Sequence, residues 1–130
     1  MQKRQRVIPM TSRISGQVPA KEVKVMEYSV VFITAPDEEE AARIARIIVE
    51  ERIAGCVNIV KGIRSIYSWE GKVEDEHEVL MIVKTKRELF TELEKRVKEL
   101  HSYSVPEIIS LPVMEGSPEY LEWLKHELTS

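Results

Sequence analysis

Few side chains in this sequence could do chemistry. There is one cysteine, Cys56, and there are three histidines, His77, His101 and His126. No GxSxG, P-loop, GxGxxG or HExxH stretch occurs, so the reading is a binding protein and not an enzyme. His101 is the histidine to weigh as a metal ligand. It stands at the end of a helical pattern, where a cation at the helix C-terminus or a loop hydrogen bond would equally occupy it. Cys56 follows Gly55 between apolar residues and reads as a small buried hydrophobe. No His or Cys lies close to it in sequence to lower its pKa.

The aromatic set is Tyr67, Trp69, Tyr103, Tyr120 and Trp123. Such residues suit interfaces, because each buries a large area and keeps one polar handle. With Lys84 and Glu107 they could line a small-molecule cleft between subunits. Lys84 lies within a strand pattern and Glu107 directly follows Pro106, so both need partners if buried. A Lys84–Glu107 pair at an interface would satisfy both. Asp75, Glu76 and Glu78 with His77 form an acidic run. On a strand, residues 76 and 78 share one face and 75 and 77 the other. One face then offers two carboxylates at a time, which suits labile divalent-cation contact or a solvated arm. His77 and His126 read as surface residues.

The elements that must position these groups follow from periodicity. Tyr28 to Thr34 is a short β-branched run, read as a buried strand stopped by Pro36. Asp37 and Glu40 have capping-box spacing, followed by Ala41, Ile44, Ala45 and Ile48 at helical spacing. Gly55 is expected to end that helix as a left-handed cap. Cys56 to Trp69 reads as a long strand with a bulge at Gly62, and Glu70 to Lys72 as its turn. Val73 to Thr85 returns as a strand, polar in its first half and apolar on both faces in its second. Thr85 and Glu88 repeat the capping-box spacing before Leu89, Leu93, Val97 and Leu100. His101 to Pro106 is an exit loop. Glu107 to Val113 is a strand, placed at an edge by Pro112. Ser117 and Pro118 open a last helix with Leu121, Leu124 and Leu128 as its stripe.

The order βαββαβ followed by a helix is the α+β, ferredoxin-like split βαβ arrangement with an extra C-terminal helix. Two helices on one face leave the other face of the sheet to be covered, so self-association is expected. At 130 residues, one domain is expected. Residues 1–25 stand apart, with Lys3, Arg4, Arg6, Arg13, Lys21 and Lys24 against Glu22 alone. They read as a basic N-terminal extension (a flexible tail, a processed leader, or sequence upstream of a start at Met26), and the domain as residues 26–130. Since the whole chain carries −3, that domain is acidic, which argues against nucleic acid as a partner. One cysteine excludes an internal disulfide. No apolar run reaches the ~20 residues of a membrane span. The expected location is the cytoplasm, with organelle targeting by residues 1–25 left open.

Six segments together carry a family resemblance: Thr34 to Asp37 (TAPD), Ala54 to Asn58 (AGCVN), Ser65 to Lys72 (SIYSWEGK), Val83 to Thr85 (VKT), His101 to Glu107 (HSYSVPE) and Tyr120 to Leu124 (YLEWL). In order and spacing they resemble the CutA divalent-cation tolerance family, from about Tyr28 to Leu128. The resemblance implies a PII-like homotrimer with sheets packed about the threefold axis and hairpin arms reaching neighbours. It also implies a role in tolerance of divalent metal ions, with copper(II) or another divalent cation as the bound species. Bacterial members with proposed copper ligands have a cysteine where this chain has Ile33, and a His-His pair at Leu100-His101. Only His101 matches, so a copper site must take donors from elsewhere. The rival readings are a trimeric scaffold or signalling adaptor without specific metal affinity, and an enzyme acting at the intersubunit cleft.

Overall fold

A computed structural model describes residues 26–129. The basic extension assigned to residues 1–25 lies outside the described residues. Four strands and three helices run in the order β1 (Tyr28–Ala35), α1 (Glu38–Glu50), β2 (Cys56–Trp69), β3 (Lys72–Lys86), α2 (Phe90–Leu100), β4 (Ile108–Pro112) and α3 (Pro118–Glu127). The sheet is antiparallel with strand order β2-β3-β1-β4. This is the expected βαββαβ arrangement with one further helix, and β4 with its Pro112 is an edge strand.

Side-chain alternation divides the sheet into two faces. Val31, Ile33 and Ala35 of β1 and Val79, Met81 and Val83 of β3 point toward the helices. There they meet Ala41, Ile44, Ala45 and Ile48 of α1 and Leu93 and Val97 of α2. The α1 stripe predicted from spacing is buried throughout; of the second stripe Leu93 and Val97 are buried here, Leu100 is partly buried and Leu89 belongs to a second cluster. On the other face the cross-strand partners are Val30, Lys84 and Cys56 in one row, then Phe32, Ile82 and Asn58.

The local chemistry of the chain ends of each element agrees with the sequence in part. Asp37 caps α1, accepting the Glu40 backbone N–H at 2.8 Å. Gly55 is not the left-handed residue that ends α1. The helix stops at Glu50, and Arg52 takes the positive φ of 62°. That turn aims the Arg52 guanidinium at the last carbonyls of α3, Glu127 at 3.0 Å and His126 at 2.6 Å, a favourable place for a cation. Gly55 serves close packing instead, since a Cβ there would lie 2.4 Å from Leu124 Cδ1. The second capping box also fails. Thr85 is fully buried and donates its hydroxyl to the Ile53 carbonyl at 2.6 Å, and a short 3-10 turn over Arg87–Leu89 leads into α2.

The β2–β3 hairpin is bulged where expected, with the register shifting between Val60 and Ile63 and Gly62 at φ 76°. Glu70 at φ 51° and Gly71 at φ 82° make a two-residue turn with both central residues left-handed, the geometry that matches strand twist. Beyond the core this hairpin becomes an arm, with Ile66 63% and Val73 77% exposed. At the opposite end of the sheet, Leu124 of α3 and Leu128 just after it pack with Leu89 and Tyr28 as a second, smaller core.

Candidate functional site

His101 ends α2 and is buried. Its Nδ1 accepts the Tyr103 backbone N–H at 3.0 Å, so the ring carries its proton on Nε2 and donates to the Thr34 carbonyl at 2.7 Å. Both nitrogens are thus committed within the chain. Glu40 lies 3.3 Å from Nδ1 and takes the Ser102 backbone N–H at 2.8 Å. The exit loop is fastened in this way to the end of β1 and the first turn of α1.

That fastening sets Tyr103, whose hydroxyl donates to Glu78 Oε2 at 2.6 Å. Burial, then the Glu78 hydrogen bond, pushes the Tyr103 phenol well above its ordinary value. Between the exit loop and the arm lies a cleft of about 880 Å3. One wall comes from β2 and β3, with Tyr67, Trp69, Glu74, Glu76 and Glu78. The other comes from Tyr103 to Glu107 of the exit loop. Tyr67 donates to Glu76 at 2.9 Å, a bond that raises the Tyr67 pKa. Arg64 forks onto Asp75 at 2.8 and 2.6 Å, which lowers the Asp75 pKa.

The structure therefore brings Tyr67, Trp69, Tyr103 and Glu107 together and does not bring Lys84, Tyr120 or Trp123 to them within one chain. Lys84 follows Glu78 by six residues on one strand, about 20 Å at ~3.4 Å per residue. Its ammonium bonds the Asn58 side-chain oxygen and lies 3.8 Å from Cys56 Sγ. Tyr120 stacks with Trp123 on α3, ring centroids 5.4 Å apart. Burial, then Cys56, raises its pKa. Cys56 itself is half-buried on the outer face beside Lys84, not a core hydrophobe.

Sequence reasoning placed Glu78 in the acidic run but missed its burial. The acidic run is a solvated arm only in part, because Glu78 is 7% exposed. Glu74, Glu76 and Glu78 all line the cleft, so the face presents three carboxylates, not two. The alternation rule, extended back to Glu74, carries that signal. The Tyr103 contact has no sequence signal, since it depends on where the exit loop lies. Among the described residues, no group of three or more His, Cys, Asp or Glu side chains is arranged to hold a metal ion. His77 is exposed and His126 pairs with Glu122 at 3.2 Å on the surface.

A four-stranded ferredoxin-like sheet with a long β2–β3 arm, and a cleft between arm and exit loop, defines the class of this protein as PII-like α+β. The profile of the family described as CutA1 divalent ion tolerance protein matches residues 29–127, and the chain belongs to that family. It is 55% identical over 96 residues to the divalent-cation tolerance protein CutA of Thermus thermophilus, covering 74% of this chain and 93% of that one. It is 42% identical over 127 residues to the chloroplastic protein CutA of Arabidopsis thaliana, covering 92% and 70%. The crystal structure of CutA1 from Oryza sativa superposes with a TM-score of 0.78 at 46% identity, over 80% of this chain and 95% of that one. No helix among the described residues is long and apolar enough to cross a membrane.

Burial, then the nearby Glu78, raises the Glu107 pKa above the ordinary carboxylate value. A raised carboxylate pKa means that ionising Glu107 costs stability in full above the folded value and nothing below the unfolded one. Glu107→Gln is therefore expected to raise the melting temperature at pH 7 to 8. The gain should shrink to zero as pH falls to about 4, near the unfolded carboxylate pKa. A gain that grows toward low pH would contradict the Glu78–Glu107 repulsion.

Proposed function

We propose that this chain acts in the response to divalent metal ions as a homotrimer whose clefts bind a small ligand. The cleft carries this reading. Its volume of about 880 Å3 lies within the ~300–1,000 Å3 of small-molecule sites. Its walls combine aromatic rings with carboxylates held by hydroxyl donors. The names of the relatives supply the link to divalent cations. Binding is the proposed role, since the tyrosine hydroxyls of the cleft are held on its carboxylates.

The outer face of the sheet supports the trimer. Val60, Ile109 and Leu111 are 41%, 52% and 43% exposed there, beside half-buried Val30, Phe32, Leu80 and Ile82. Two further copies packed on this face and on the arms would remove that apolar surface from water. The cytoplasm is the proposed location. The chloroplastic name of the Arabidopsis relative supports the organelle alternative for residues 1–25.

Copper fits poorly within one chain. His101 has no free nitrogen, Ile33 and Leu100 offer no donor, and Cys56 and His101 belong to opposite regions of the sheet. The geometry of His101 favours the second reading, a trimeric scaffold without specific metal affinity.

Three measurements test these statements. Light scattering should give three times the chain mass of 15.0 kDa; a single-chain mass removes the trimer. Calorimetric titration with copper(II) should give the same result for the wild type and His101→Ala. Saturable binding lost in the variant would restore His101 as a ligand. Ligand-observed NMR screening of small fragments should yield binders that Trp69→Leu abolishes; none that depend on Trp69 would sink the cleft reading.

A further inference from the structure

We propose that the cleft is a site for small organic diammonium cations rather than for a bare metal ion, an assignment that rests on the reading of the cleft as a ligand site. Charge balance is the first argument. Four carboxylates, Glu74, Glu76, Glu78 and Glu107, line the cleft, against one basic side chain, Arg64. Arg64 is already committed to Asp75 through both of its bonds. Among the described residues, none of the four lining carboxylates has a salt-bridge partner.

The second argument is Glu78. It is more than nine-tenths buried at 7% exposure and lines the cleft. Tyr103 serves Oε2, and no donor serves Oε1 among the described residues. A buried carboxylate oxygen without a donor is costly. An ammonium N–H placed in the cleft supplies both the missing donor and the missing charge. Glu107, whose pKa is raised first by burial and then by Glu78, adds a second carboxylate to the same wall with no cation between the two within the chain.

The third argument separates the organic cation from the metal. A hard divalent ion needs six or more oxygens, or an octahedral set, within about 2.0–2.6 Å. Here the carboxylates are spread along a strand at alternate positions, and Glu76 and Glu78 are each held by a tyrosine hydroxyl. A cleft of about 880 Å3 is far larger than one ion. Its remaining wall includes the aromatic and apolar side chains of Trp69, Ile66, Val105 and Pro106, beside Thr34, Ser65 and Ser104. Ring faces attract alkylammonium groups, and apolar side chains cover the methylene stem between them.

The test is a titration of the full chain carrying Trp123→Phe, so that Trp69 is the one tryptophan reporting. The probe is 1,4-diaminobutane, with uncharged 1,4-butanediol as its isostere. Expected is a saturable change in Trp69 emission with the diamine and none with the diol. Glu78→Gln should weaken diamine binding about tenfold or more, as loss of a charge-assisted hydrogen bond does. Glu107→Gln, which leaves the Tyr103–Glu78 bond intact, should weaken it as well and guards against a folding defect in the first variant. No saturable effect up to about 10 mM diamine overturns the assignment, as does equal affinity in both variants. If the diamine fails while Trp69-dependent fragments still bind, the ligand class falls and the cleft reading stands. If neither binds, both fall.

Discussion

The two-residue repeat of β3 is the constraint on which the rest of the molecule depends. This strand is central in the sheet and runs from the tip of the arm to the far end of the core. Its odd positions from Val79 to Thr85 face the helices and are buried. Its even positions face outward and change character along the strand: Glu74, Glu76 and Glu78, then Leu80 and Ile82, then Lys84. A slip of one residue would send the carboxylates into the helix-facing core and the core valines to solvent. The bulge at Gly62 lets β2 keep pace with β3 while the arm twists away from the core.

Much of this was legible because it is written in local periodicity. The three helices, the long hairpin, its bulge and its turn follow from the spacing of apolar residues and from Gly62 and Gly71. What misled was punctuation that has two physical uses. Gly55 reads as a cap, yet its lack of a Cβ admits Leu124, a residue far along the chain. Arg52 took the left-handed turn because its guanidinium finds the carbonyls of α3, and that gain depends on a tertiary contact. Thr85 reads as an N-cap, but its buried hydroxyl donates to the Ile53 carbonyl instead.

The candidate site divides in the same way. Tyr67, Trp69, Tyr103 and Glu107 were singled out as aromatic and polar residues in need of partners, and they share one cleft. Glu78 was taken for part of a solvated run because charge runs usually are. Its hydroxyl partner, Tyr103, comes from the exit loop, which His101 fastens to the Thr34 carbonyl. His101 attracted a metal reading because imidazole ligates metals. In the fold its two nitrogens are used as a donor and an acceptor to hold that loop.

Glu78, Tyr103, His101 and Thr34 form a continuous line of hydrogen bonds from the cleft to the end of the first strand, with Glu40 of the first helix alongside. Each link is placed by the next, so the line behaves as one element with a shared stiffness. Its members are therefore coupled as a source of variation: replacing any one alters the cost of replacing the others, and their effects do not add. A chain that loses one of these residues is left with neighbours adapted to a partner no longer there. The cleft wall is in this sense inherited as a unit, and its shape can drift only when several side chains change together.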